Sequence, residues 1–596
     1  MKKYHTFHIP VMGTAFTADT PLKVAKYGID SVISIVDDVL LERLRKVYSK
    51  QYCLPYQEIK KTSKNYRSDR ITSYLNLINT LSKEKFNKLI NVTKEKFQEV
   101  KKYFAMLPDD IKIKHEFDRL TSGIFSFNDL SVWLKKNLVM GSIDVNIMTK
   151  VDKTNYFNNK ELPSEYNDAH ASLRGFANSD LASSIIFSAG MNPRLYGYIA
   201  QFEDFYPDQN GYIKKKIVLK VSDFRSAIIQ GKFLAKKGLW VSEYRIESGL
   251  NCGGHAFATD GFLMGPILSE FKSKRVSLIA ETFDILTKSL ETNNRVLPKE
   301  TLPIRITAQG GVGTAKEQQF LLDYYNLDSI GWGTPFLLVP EVTTVDNKTR
   351  KQLIKAKEKD LYLSNESPLG VPFNILRNNS KDLERKKNIK KGNPGSPCPR
   401  GFLALSNEYN AQGICTASKQ FQQNKINESH NDKSILVEKI VEKTCLCMGL
   451  AASAVVNHDI QTRESLGVSI CPGPNMAYFD KSVSLLEMIR HIYGFENICR
   501  TDKPNMFLKE LYLYLDYLKD KVKEAKSDWN IKQERYFNRF FENMNAGIDY
   551  YTILFGEIEK KYHQSTSKII TEIENAKNKL DLLISEIEDL RFAPIV

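Results

Sequence analysis

Lys216-Ile217-Val218-Leu219-Lys220-Val221 leads into a segment of helical composition over 223–237. Gly238 closes that segment, and Leu239-Trp240-Val241-Ser242-Glu243 begins another apolar run. Two strand-like runs with a helix between them and almost no connecting residues describe a βαβ unit, because parallel strands can be joined only by a crossover, usually a helix. The beat recurs downstream. A run at 302–309 meets Gly310-Gly311-Val312-Gly313-Thr314, a helix is expected over about 315–325, and Asp328-Ser329-Ile330-Gly331-Trp332-Gly333-Thr334 follows as strand and turn. Upstream, Ile9-Pro10-Val11-Met12-Gly13-Thr14, a helix near 21–28 and Ser31-Val32-Ile33-Ser34-Ile35-Val36 make a βαβ start, and 143–148 and 182–188 read as further strands. The expected fold is α/β, a (β/α)8 or TIM barrel over residues 1–345.

Three other segments break this rhythm. Residues of about 40–120 are lysine-rich, with Ile71, Tyr74, Leu75, Leu77, Ile78 and Leu81 at helical spacing, and predict a helical insertion. Residues 346–500 are rich in Asn, Ser, Gly, Pro and Cys, with one helix expected near 434–442, and are expected to pack on the barrel as an irregular Cys-containing region. Residues 501–596 read as a helical extension, either a helix pair packed on the barrel or a coiled coil that makes a homo-oligomer.

Hydrophobic residues at 42% and charged residues at 26% fit a folded globular chain that needs no disulfides. Eight scattered cysteines fit a reducing compartment. The start of the chain shows no apolar signal core after Lys2 and Lys3, and no run approaches eighteen apolar residues, so a cytoplasmic protein without a membrane anchor is expected. The net charge of +15 is thinly spread. Its one dense run, Lys386, Lys387, Lys390 and Lys391, reads as a solvated loop, and no nucleic-acid module accompanies it.

Gly310, Gly311 and Gly313 follow one strand, and Gly331, Gly333 and Thr334 follow the next. Glycine turns there can aim backbone N–H groups at an anion, and the last two strands of a barrel often frame a phosphate. A second loop reads Ile246-Glu247-Ser248-Gly249-Leu250-Asn251-Cys252-Gly253-Gly254-His255. Glycines let backbone approach a ligand and an imidazole titrates near neutrality, so His255 is a candidate for proton transfer; a loop histidine satisfied by carbonyls is the plainer alternative.

With Lys220-Val221, the helix over 223–237, Gly253-Gly254-His255, Gly310-Gly311 and Gly333-Thr334-Pro335-Phe336 in this order, the chain resembles the nitronate monooxygenase and FMN-dependent enoyl-reductase group over about residues 9–345. That group includes the enoyl-reductase component of polyunsaturated fatty acid synthases. The resemblance implies FMN, with its phosphate on amides around Gly310, Gly311, Gly333 and Thr334, Met12 and Gly13 near the ring, and Asn146 hydrogen-bonding it. It further implies His255 beside the substrate. Lys220 is expected at the flavin's polar edge, and Gly253 and Gly254 beside the cofactor. The insertion, the Asn251-Cys252 pair and the residues beyond 345 depart from the group's pattern.

Cys398, Cys415, Cys445, Cys447 and Cys471, together with His458, form a third constellation. Thiolates bind zinc or iron–sulfur clusters, but no Cys-x-x-Cys pair is present, and buried unligated thiols are the alternative. A metal centre would use Cys445 and Cys447 with two of Cys398, Cys415 and Cys471.

The functional expectation is an FMN-dependent oxidoreductase, nitronate monooxygenase-like or enoyl reductase-like. Its substrate would be a small molecule or an acyl thioester, with NAD(P)H a candidate electron donor. Two alternatives keep the barrel: an enzyme that acts on a phosphorylated substrate without flavin, and a catalytically silent flavin-binding scaffold.

Overall fold

The computed structural model describes residues 3–188, 190–428, 435–526, 529–562 and 566–592. Eight parallel strands form its centre: β1 (Phe7–Ile9), β2 (Asp30–Ser34), β3 (Ile143–Met148), β4 (Ser184–Ser188), β5 (Lys216–Val221), β6 (Val241–Glu247), β7 (Arg305–Gln309) and β8 (Ser329–Gly331). They hydrogen-bond in the ring order β1-β8-β7-β6-β5-β4-β3-β2, closed where Phe7 pairs with Ile330 and His8 with Asp30. The chain is an α/β TIM barrel, with flanking helices.

Local chemistry explains the units read from sequence. The helix Phe224–Ala235 between β5 and β6 starts where the Asp223 carboxylate accepts the Ser226 N–H, and Gly238 turns the chain with φ +74°. The helix Ala315–Tyr324 after β7 carries a capping box in which Thr314 and Glu317 satisfy each other's backbone N–H groups. Strand limits shift by a few residues, so that β6 runs to Glu247 and β7 begins at Arg305.

The insertion between β2 and β3 is helical as expected but extends past residue 120. It comprises Asp38–Gln51, Tyr66–Ile90, Phe97–Ala105, Lys112–Thr121 and Phe127–Asn137. Phe104 stacks on Phe117 at 3.8 Å, and Phe97 packs against Phe125 and Phe127, so aromatic burial holds the last helix to the others. Of the periodic residues, Ile71, Tyr74, Leu75, Ile78 and Leu81 are buried, while Leu77 only rests on the core.

Residues 346–500 are less irregular than expected. The helix expected near 434–442 is Ile435–Glu442; Ser434 lies outside the described residues, as does Lys2. The lysine run is not a loop but part of a helix, Ser380–Lys390, whose N-terminus is capped by Asn379 and whose Asp382 pairs with Arg385 and Lys386. Leu361–Ser364 and Phe373–Leu376 form a small antiparallel sheet with Gly254–His255, which sews this region to the loop after β6. Arg400 is buried between Asp37, just beyond β2, and Glu464. One segment, Val437–Asn457, is long and apolar enough to cross a membrane by length and composition, contrary to expectation. It is interrupted at 443–445 and largely buried inside the fold.

Among the described residues the C-terminal extension forms three helices, not two: Met506–Ala525, Ile531–Tyr562 and Ser567–Phe592. The first break comes where the Asn530 side chain accepts the N–H groups of Lys532 and Gln533 and starts a new helix. The extension packs against the helix Met264–Thr292 of the barrel.

Candidate functional site

The two glycine turns face one cavity at the carboxyl ends of β1, β6, β7 and β8. Its walls include Met12 and Gly13 after β1, Glu247, Asn251, Cys252 and Gly253 from β6 and its loop, Gln309, Gly310 and Gly311 from β7, and Gly333 and Thr334 after β8. It encloses about 630 Å³ of empty space, part of it open to solvent, but it is narrow: about 80 Å³ admits the centre of a water molecule.

Gly310 and Gly311 have φ values of +115° and +76°, which side chains rarely adopt. A Cβ on Gly311 would come within 2.1 Å of the Asn251 amide nitrogen, so the turn is fitted to the loop after β6. Among the described residues, no protein acceptor takes the backbone N–H of Gly310, Gly311, Gly333 or Thr334. Four free donors on two adjacent strand ends make a ready anion cradle.

Polar groups continue across the barrel mouth. Lys220 Nζ pairs with Glu247 Oε2 at 2.7 Å, and Gln309 Nε2 donates to Glu247 Oε1 at 2.6 Å, which links the ends of β5, β6 and β7. Gln309 Oε1 and Asn251 Oδ1 are buried acceptors without a protein donor. Such orphans call for a partner, here a ligand or water. Burial keeps the Cys252 thiol well above its ordinary range and pushes Cys471 up to about 12, so both are protonated thiols at neutral pH.

The chain between Cys471 and Asn475 straps the mouth. The Gly473 N–H donates to Thr334 Oγ1 at 2.9 Å, Asn475 Nδ2 donates to the Val312 carbonyl at 3.0 Å, and a Cβ on Gly253 would strike the Cys471 carbonyl at 2.6 Å. Behind the loop after β6, Ser248 donates to the buried Glu510 carboxylate at 2.5 Å and accepts the Asn251 N–H. The C-terminal helix Met506–Ala525 thereby supports a wall of the cavity.

Met12, Gly13, Gly253, Gly310, Gly311, Gly333 and Thr334 share this cavity, and Lys220 reaches it through Glu247. Asn146, Gly254 and His255 are not on its wall. Asn146 donates to Ser188 from β3 and keeps Oδ1 free. His255 Nε2 bonds Ser367 Oγ at 2.7 Å, and the ring packs on Phe373. Burial and then the Lys220 charge bring its pKa down to about 4, so the imidazole is neutral at pH 7. Sequence reasoning did not propose Glu247, Gln309, Cys471 or Asn475 for the site. The first two end β6 and β7, where a polar residue is a readable signal. The other two arrive from more than a hundred residues away, without a local signal.

Two of the five candidate cysteines, Cys398 and Cys415, line a separate open cavity, and Cys445 and Cys447 sit at the start of the helix Leu446–Asn457. Cys471 belongs instead to the cavity wall, and His458 sits at 3.4 Å from Asp19 Oδ2 beside Tyr48. Among the described residues no group of three or more His, Cys, Asp or Glu is spaced to hold a metal ion.

No family model and no curated protein matches the chain. Among solved structures, nitroalkane oxidase from Streptomyces ansochromogenes aligns at 9% identity over 82% of this chain and 94% of its own, with a TM-score of 0.33. The enoyl reductase domain of MlnA, from the macrolactin biosynthesis cluster of Bacillus amyloliquefaciens, aligns at 13% identity over 70% of this chain and 88% of its own, with a TM-score of 0.29. The barrel rests on its own strand ladder.

Proposed function

We propose that the chain is an FMN-dependent oxidoreductase. The observation that carries this reading is the set of four free N–H donors at Gly310, Gly311, Gly333 and Thr334 on a single cavity. They suit one phosphate, and the barrel mouth beside them suits a polar ring. FMN, when bound, supplies hydride transfer at its N5. Gln309 Oε1 and Asn251 Oδ1 fit a ligand that brings N–H donors, and Lys220, tied to Glu247, sets the charge at the polar edge. Met12 and Gly13 form the apolar side. The proton-transfer role of His255 requires a substrate that extends past the cavity wall to the imidazole, which is neutral and held at Nε2 by Ser367.

The experiment is release and mass spectrometry of whatever co-purifies with the full chain. FMN is the expected result, and FAD alone would remove the single-phosphate argument. The narrowness of the cavity supports a second reading, in which the same donors hold a smaller phosphorylated substrate and the purified protein is colourless. A panel of nitronates, enoyl thioesters and quinones, with NAD(P)H as reductant, then tests the class of substrate.

A further inference from the structure

Four residues form one row across neighbouring strands of the barrel. The strand ladder sets His8 of β1 beside Gly331 of β8, Gly331 beside Gln309 of β7, and Gln309 beside Glu247 of β6. Gly331, Gln309 and Glu247 line the cavity, and residues paired in register point to the same side of a sheet, so His8 points into the barrel as well. One place in the row has no side chain. A Cβ on Gly331 would stand 2.7 Å from Gln309 Cβ, 3.0 Å from His8 Nε2 and 3.2 Å from Gln309 Oε1. The glycine that the sequence offers as part of a phosphate turn therefore also lets His8 and Gln309 face each other across β8.

Both facing atoms are orphans: among the described residues neither His8 Nε2 nor Gln309 Oε1 has a hydrogen-bond partner, and the two residues are 3% and 7% exposed. A buried polar atom left unpaired is costly, and a donor and an acceptor set across one gap relieve each other. The roles follow from the groups further along the row. Gln309 Nε2 donates to Glu247 Oε1 at 2.6 Å, and Lys220 Nζ pairs with Glu247 Oε2 at 2.7 Å. The opposite turn of the Gln309 amide would set its oxygen against this carboxylate, so Oε1 is left for His8. An amide oxygen only accepts, which makes His8 Nε2 the donor, and Nδ1 then accepts from the Ser329 hydroxyl at 3.0 Å. Burial and then the Arg245 charge hold His8 well below its ordinary pKa, so the ring stays in this neutral form. The second lone pair of Gln309 Oε1 remains open to a ligand.

We propose that His8 is a positioning residue of the cavity: across Gly331 it holds the Gln309 amide, which fixes the Glu247 carboxylate and, with it, the Lys220 ammonium. Every donor in the chain points one way, from Ser329 through His8 and Gln309 to Glu247, an arrangement in which each bond polarises the next. His8 itself is off the cavity wall and acts only through Gln309. Its effect on a cofactor rests on the flavin reading; its hold on Gln309 and Lys220 does not.

The test compares the full chain with His8→Met, which keeps bulk but removes the ring N–H, with His8→Gln, whose amide N–H can replace that of Nε2, with Gln309→Met, and with the double variant His8→Met/Gln309→Met. Thermal midpoints measure the contact: the double variant should melt about where the lower single variant does, because the second change removes nothing further. Acetylation of Lys220, followed by peptide mass spectrometry, measures the positioning without any cofactor. It should run several-fold faster in His8→Met and at the parent rate in His8→Gln. FMN affinity, read by fluorescence quenching, should fall about tenfold in His8→Met, as for one lost buried hydrogen bond, and recover in His8→Gln. Midpoint shifts that simply add, or Lys220 acetylation at the parent rate in His8→Met, overturn the proposal. A parent chain that takes up no FMN overturns the flavin reading instead, and the midpoints and the Lys220 labelling still decide the role of His8.

Discussion

Glu510 offers a stability measurement whose sign and size follow from its surroundings. Its carboxylate is 2% exposed and accepts hydrogen bonds from Ser248 Oγ, the Met264 N–H and Tyr551, yet among the described residues no cation pairs with it. Burial pushes its pKa up from 4.5 to about 7. Because the folded pKa lies above the unfolded one, the fold binds more protons between pH 4.5 and 7, and stability falls as pH rises through that window. At about 1.4 kcal/mol per pH unit, the ionised form costs the fold about 3 kcal/mol. Glu510→Gln keeps the shape and removes the charge. In denaturant titrations the variant should match the parent closely at about pH 4 and exceed it by about 3 kcal/mol at about pH 8, with other titrating groups cancelling in the difference. A difference that is flat with pH, or that shrinks as pH rises, would refute the argument that Glu510 is an uncompensated buried carboxylate.

Further outcomes can be checked separately. Gly311→Asp should purify without flavin, since its side chain would collide with Asn251 and set a carboxylate in the anion cradle; FMN bound at the parent level speaks against that cradle. His255→Ala should retain FMN and slow turnover by about 10²–10⁴-fold, and unchanged steady-state rates with the true substrate would remove its proton-transfer role. Arg400→Met leaves Asp37 buried without its cation and should destabilise the fold by about 3–5 kcal/mol, read as a lower denaturant midpoint; an unaltered midpoint would mean that the Asp37–Arg400–Glu464 link contributes little.

Much of the barrel was legible because its determinants are local. The run 216–221, the Asp223 cap and Gly238 fix strand, helix and turn within about twenty residues, as Thr314 and Glu317 do after β7. The insertion was readable as helix from its spacing but not in extent, because the docking of Phe125 and Phe127 on Phe97 is a tertiary contact. The lysine run misled because its charge suggested a loop, whereas the Asn379 cap and the Asp382 pairs offset the repulsion within a helix.

The sequence by itself determined the parallel barrel and the pair of glycine turns on consecutive strands, since backbone freedom and side-chain periodicity are properties of short segments. Only the tertiary structure decided what surrounds them. It brought Cys471 to Asn475 across the turns, set Glu510 behind Ser248, moved His255 off the cavity wall against Ser367, and separated Cys471 from Cys398 and Cys415, which line another cavity. Those placements depend on contacts between residues that the chain keeps more than a hundred positions apart, and packing of the whole chain, not any local preference, selects them.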